Sequence, residues 1–230
     1  MICDFIVPWP LAFARHGWYT GARHLPIVMI CRSTIQDIVL HFIRRLSRVN
    51  YATIKYCDIA NGTGVRTSLF VSGCRRHCPE CFNAVAWDFG YGLPFDKAVR
   101  NEILGSLAPD YIDGLSLLGG EPFEPENQRA LVPFLHEVRV LYPHKTIWCY
   151  TGNVYETELL QPSHARCEVT DEMLSLIDVL VDGEFIPAQH DISLRFRGSS
   201  NQRIIDLNAT RAAGHTVLWQ DDPLFADHKM

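Results

Sequence analysis

Thr67-Ser68-Leu69-Phe70-Val71-Ser72-Gly73-Cys74-Arg75-Arg76-His77-Cys78-Pro79-Glu80-Cys81 runs from a β-branched and aromatic stretch directly into three clustered cysteines. Thr67–Val71 has the composition of a strand. The three thiols, with three and then two residues between them, share a centre once the loop curls. Thiolates are soft ligands that select zinc, copper(I) or iron–sulfur clusters. Three cysteines alone suit a cubane cluster with one iron left open, whereas a closed structural zinc site takes four protein ligands. His77 supplies the fourth donor for that alternative, a zinc-binding interaction module on Cys74, His77, Cys78 and Cys81.

Beyond the loop, helix and strand patterns alternate. Asp96 is placed to N-cap a helix over 97–107, with Val99, Ile103 and Leu107 on one face. A strand at Gly114–Leu118 ends in Gly119-Gly120-Glu121-Pro122. A helix over 126–142 follows, in which Pro133 is expected to introduce a kink or begin a second part. Lys145–Tyr150 predicts a strand closed by Thr151-Gly152. Thr170 is expected to cap a short helix carrying Asp171 and Glu172 in its first turn. Asp178–Val181 predicts a strand ending in Asp182-Gly183. This alternation implies an α/β fold with a parallel sheet and right-handed crossovers. Ligands of such sheets bind at the carboxyl ends of the strands. The cysteine loop, Gly119-Gly120-Glu121, Thr151-Gly152 and Asp182-Gly183 all fall at that edge. Gly62 and Gly64 precede a strand instead of following one, so they do not match a dinucleotide-binding glycine loop.

The chain has 230 residues, 47% of them hydrophobic, enough for an ordinary globular core. Its net charge of −5 argues against nucleic-acid binding by phosphate neutralisation. No apolar run reaches the roughly 18 residues of a membrane span, and no signal peptide with a clean cleavage site is evident. A cytoplasmic, reduced protein is expected, its clustered cysteines binding metal and without integral membrane association. Cys57, Cys149 and Cys167 stand apart and are expected to be small buried or semi-buried hydrophobes.

Residues 1–48 read differently from 49–230. The first 49 residues carry six Arg against two acids; the remainder carries 15 basic against 24 acidic side chains. Ile35, Ile38, Val39, Phe42, Ile43 and Leu46 follow helical spacing, and Ser33 with Gln36, or Thr34 with Asp37, fits a capping box. Arg44, Arg45 and Arg48 load the last turn. Such a basic amphipathic helix suits a membrane surface or a partner; the alternatives are an extension without a role, or upstream sequence mis-called before a start at Val49.

The spacing Cys74-x3-Cys78-x2-Cys81 followed by Phe82 is similar to the signature of the radical S-adenosylmethionine superfamily. Asn61-Gly62-Thr63-Gly64-Val65-Arg66, Phe70–Cys74, His77–Asn83 and Arg197-Gly198-Ser199-Ser200-Asn201-Gln202 together resemble the activating proteins of anaerobic ribonucleoside-triphosphate reductases. The likeness runs from Asn50 to Asp206. It implies a partial (βα) barrel of the radical-SAM type, with the cluster loop at the C-terminal edge of the strands. It also implies one 4Fe-4S cluster on Cys74, Cys78 and Cys81, with S-adenosylmethionine chelating the open iron. An electron would then split the sulfonium, and the resulting radical would take a hydrogen from a glycine of the partner reductase. The protein would supply position, potential and dryness, with no catalytic side chain beyond the cluster ligands.

In those implied roles Gly119 and Gly120 let a ligand approach the strand ends, and the Glu121 carboxylate accepts from the methionine ammonium. Phe82 packs on the adenine, and the backbone near Glu80 and Cys81 adds a contact. Leu118 departs from the family, many of whose members have Ser there, and the pattern does not require residues 1–48. Arg75 and Arg76 are expected either to favour an acidic electron donor such as flavodoxin or to be solvated loop charge. The competing activities are an activase for another glycyl-radical enzyme and a small radical enzyme of deazapurine synthesis. Arg197–Gln202 favours the reductase activase.

Overall fold

The structure is a computed structural model and describes residues 49–221. The 1–48 extension and its expected amphipathic helix lie outside the described residues. Seven strands form one sheet: β1 (Asn50–Asp58), β2 (Arg66–Val71), β3 (Leu93–Pro94), β4 (Gly114–Gly119), β5 (Thr146–Tyr150), β6 (Val179–Asp182) and β7 (Arg203–Asp206). Their order is β3-β1-β2-β4-β5-β6-β7. The central four, β2, β4, β5 and β6, are parallel; β1 at one side and β7 at the other run against them, and β3, antiparallel to β1, runs with them at the edge. The expected parallel sheet is thus present at the centre, within a sheet that is open and flanked by antiparallel pairings.

The register is fixed by a transverse row, Leu69–Leu117–Cys149–Leu180–Ile205, each paired with the next and each 0% exposed. A one-residue slip would turn every member of that row to the opposite face. Helices α1 (Lys97–Ser106), α2 (Pro125–Leu141) and α3 (Thr170–Leu176) pack onto this side through Ile103, Leu107, Leu131, Leu135, Val138 and Met173. The opposite face carries Trp148, Val179, Val181 and Ile204, covered by Phe196 and Trp219. Burial on both faces explains why these strands read as continuous apolar runs.

Asp96 caps α1 as expected, accepting from the Ala98 and Val99 N–H groups at 2.9 and 3.1 Å. Helix α2 continues through Pro133, which lies on its exposed side. Thr170 does not cap α3: Val169 holds that position, while the Thr170 hydroxyl donates to Gln128 Oε1 at 2.7 Å and accepts from Cys167 N–H. Cys149 is buried and Cys167 half-buried, but Cys57 is exposed on a bulged part of β1 at φ 52°. Helix α4 (Leu207–Ala213) follows β7. Among the described residues no helix is long and apolar enough to cross a membrane.

The Asn61–Arg66 run is built around a buried arginine. The Arg66 guanidinium donates to Ser116 Oγ, to the Leu115 and Thr146 carbonyls and to Thr146 Oγ1, at 2.7–2.9 Å. It also lies over the Trp148 ring. Burial lowers its pKa to about 10. A Cβ at Gly62 would stand 2.9 Å from that ring, so Gly62 makes room for protein and not for phosphate.

Candidate metal centre and cofactor cavity

After β2 the chain leaves the sheet at Ser72-Gly73 and enters the cysteine loop. Asn127, buried in the first turn of α2, donates to the Ser72 carbonyl at 3.0 Å and the Glu121 carbonyl at 2.8 Å. One side chain thus joins the loops that follow β2 and β4. The Gly73 and Cys74 N–H groups donate to the Ala86 and Trp87 carbonyls, and the Glu121 N–H to the Gly73 carbonyl. His77 and Glu80 hold φ of 50° and 56°, which bends the loop. Left-handed backbone costs a non-glycine residue roughly 1–2 kcal/mol, so the surrounding contacts must enforce it.

A cavity of about 620 Å³ lies between this loop and the helix-free side of the sheet, within the roughly 300–1,000 Å³ of small-molecule sites. Cys74, Cys78, Cys81, Glu80 and Phe82 line one side of it, and Gly119, Gly120, Glu121 and Gly152 the strand ends. Phe185, His190, Phe196 and Arg197 form part of its remaining wall. Every site residue expected from the resemblance therefore borders one space. His77, the fourth donor of the zinc alternative, is not in the lining; its exposed ring stacks on Trp87 at 4.6 Å. Among the described residues, no three His, Cys, Asp or Glu side chains are gathered tightly enough to grip a single ion.

The two glycines are needed by the protein backbone as well as by any ligand. Gly119 has φ 117°, and a Cβ there would meet the Val71 carbonyl oxygen at 2.5 Å. A Cβ at Gly120 would meet the Gly73 carbonyl oxygen at the same distance. Glu121 is 3% exposed, and its two carboxylate oxygens accept from the Phe123 and Gly152 N–H groups at 2.9 and 2.8 Å. Burial pushes its pKa up to about 7 against these hydrogen bonds. Phe82 is 83% exposed at the cavity edge.

Both loop arginines are ion-paired, Arg75 at the surface and Arg76 largely buried. Arg75 is paired with Glu124 and Glu126 and lies over the Phe89 ring. Glu124 is 2% exposed and also accepts the Arg75 N–H at 2.7 Å. Arg76 is paired with Glu158 and donates to Asn153. Burial, followed by the nearby Glu121 carboxylate, pushes the Cys74 thiol up to about 11. Burial also raises that of Cys78, with Glu184 adding to it. Loading a metal must therefore expel protons that these thiols hold firmly.

Four cavity-lining residues carry a buried polar atom with no partner among the described residues: Arg76 Nε, Trp87 Nε1, Tyr150 Oη and Arg197 Nε. Buried donors are normally satisfied, so this set is compatible with a polar ligand in the cavity. Glu124, Asn127 and Asn153 escaped the sequence reading. The usable signal was position: Asn127 and Gln128 precede Leu131 on the α2 face that is otherwise apolar.

The family of 4Fe-4S single cluster domains matches residues 60–205. A protein of Haemophilus influenzae is 40% identical over 158 residues, covering 68% of this chain and 97% of the relative. One of Escherichia coli K12 is 41% identical over 156 residues, 67% of this chain and 96% of the relative. A bacteriophage T4 protein is 35% identical, covering 68% and 93%. All three carry the name anaerobic ribonucleoside-triphosphate reductase-activating protein.

Proposed function

The chain belongs to the family of anaerobic ribonucleoside-triphosphate reductase-activating proteins, and on that premise we propose that it activates such a reductase by generating a glycyl radical on it. When bound, a 4Fe-4S cluster would supply the electron for reductive cleavage of S-adenosylmethionine, the chemistry from which the glycyl radical on the reductase would arise. Cys74, Cys78 and Cys81 would hold the cluster. The parallel strands β2, β4, β5 and β6, with helices on one side, are read as part of a radical-SAM (βα) barrel. The observation that carries the proposal is the shared cavity, bordered by all three thiols together with Gly119, Gly120 and Glu121.

The chain's own residues have definable tasks. Glu121, held by two backbone donors, presents a fixed carboxylate at the strand ends to the methionine ammonium. Gly119 and Gly120 keep the β4 end close to the cysteine loop, and Phe82 offers an exposed ring to the adenine, with the Glu80–Cys81 backbone beside it. The orphan donors on Arg76, Trp87, Tyr150 and Arg197 provide partners for the remaining acceptors. All three thiols border the cavity, whereas His77 stacks on Trp87 and is not in the lining. The reductant is proposed to be a one-electron donor such as flavodoxin. Arg75 and Arg76, beside the thiols, are paired with Glu124, Glu126 and Glu158.

The test is anaerobic reconstitution, reduction and incubation with S-adenosylmethionine and the reductase. A glycyl radical in the electron paramagnetic resonance spectrum is expected. Zinc without acid-labile sulfide in the isolated protein, or a reductase that stays silent, would defeat the proposal.

A further inference from the structure

We propose that Arg76 is a positioning residue whose guanidinium latches the cysteine loop, between its first and second thiols, to the loop after β5. What the latched loop carries rests on the functional reading above; the latch itself rests on geometry. The Arg76 side chain is 13% exposed. One terminal nitrogen donates to Asn153 Oδ1 at 2.9 Å and Glu158 Oε1 at 2.5 Å; the other lies 3.9 Å from Glu184 Oε2, after β6. Both main acceptors are themselves held. Asn153 is buried and donates through its N–H and its Nδ2 to Thr151 Oγ1. Glu158 Oε2 accepts the Val154 N–H at 2.7 Å.

Gly152 supplies an independent observation. Its φ is not positive, so its backbone does not demand glycine. A Cβ there would stand 2.6 Å from Arg76 Cδ and 3.0 Å from its Nε. The missing side chain at 152 is what lets Arg76 lie across this loop. Gly152 N–H also donates to Glu121 Oε2. Through Arg76 and Gly152, the cysteine loop, the β4 end and the β5 end form one unit. Ordering a loop costs conformational entropy, and a loop held in place beforehand loses less when its thiols are gathered.

The experiment is residue-resolved alkylation of the apo protein by iodoacetamide under anaerobic conditions. Exposed Cys57 serves as the reference and core Cys149 as the reporter of global unfolding. Arg76→Gln removes the guanidinium; Gly152→Ala displaces it while leaving every charge in place. In both variants buried Cys74 should be labelled at least tenfold faster relative to Cys57, with Cys149 unchanged. Iron and sulfide retained per chain after reconstitution should also fall. A role confined to folding would accelerate Cys149 as well. If Arg76→Gln labels Cys149 as fast as Cys74, that variant has unfolded and Gly152→Ala decides. Cys74 labelling at the wild-type rate in Gly152→Ala overturns the latch. Because apo protein is used, failure here leaves the functional reading standing, and a reductase that stays silent leaves the latch standing.

Discussion

Cys74 is buried at the root of its loop, with Cys78 and Cys81 half-buried farther out, and all three border the cavity. Cys57 is exposed on β1 and Cys149 lies in the core. Alanine at 74, 78 or 81 is expected to abolish reductive cleavage of S-adenosylmethionine, measured as 5′-deoxyadenosine release, while alanine at 57, 149 or 167 largely keeps it. Retained cleavage in any of the first three would contradict the ligand assignment. Glu121→Ala should weaken S-adenosylmethionine binding more than it lowers iron content, and unchanged binding would remove the proposed ammonium contact. The same variant strips the acceptor from two N–H groups, at about 1–3 kcal/mol for each donor left buried and unsatisfied. A lower urea midpoint should therefore accompany the binding loss. The three thiols were legible because their chemistry lies in local spacing. The partners of Arg75, Arg76 and Asn127 were not, because the groups they bond lie 49 to 82 positions away for the arginines, and up to 55 for Asn127.

At the scale of elements, the central strands could be read because burial on both faces leaves only apolar or small residues in them. β1 could not: its exposed Thr53, Lys55 and Tyr56 break the period, and two register shifts interrupt its pairing. β7 was also missed, a strand of four residues held from the side by ion pairs. There Arg203 is paired with Asp182 at the end of β6 and with Glu156 in the turn Tyr155–Leu159. The Arg203 hydrogen bonds, with help from the Thr216 hydroxyl, hold the Glu156 carboxyl down at about 2 against an ordinary 4.5. A depressed folded pKa contributes stability that is present above pH 4.5 and lost as pH falls from there to about 2. Glu156→Gln should therefore narrow the gap between urea midpoints at pH 6 and pH 3. An undiminished gap would place the acid sensitivity elsewhere. Glu156 is 39% exposed, so solvent screening keeps the effect modest.

For the molecule as a whole, the question is how much of the chain the activity needs. Val49, just before β1, is already packed into the described fold: it is 7% exposed, and its carbonyl accepts the Phe95 N–H at 2.8 Å. The Haemophilus influenzae relative is matched over 97% of its length by only 158 residues of this chain. The basic surplus of residues 1–49 contrasts with the acidic remainder, so the two stretches are unlike in charge as well as in pattern. A protein comprising residues 49–230 behind a start methionine is accordingly expected to fold and take up a 4Fe-4S cluster. It should cleave S-adenosylmethionine and raise the glycyl radical at rates within about twofold of the full chain, an allowance of less than 1 kcal/mol. Parallel measurement of iron, sulfide, 5′-deoxyadenosine and radical yield on both proteins checks this. Loss of cluster from the shorter protein would make the first 48 residues part of the fold. Loss of radical transfer alone, with cleavage intact, would instead assign them to recognition of the reductase.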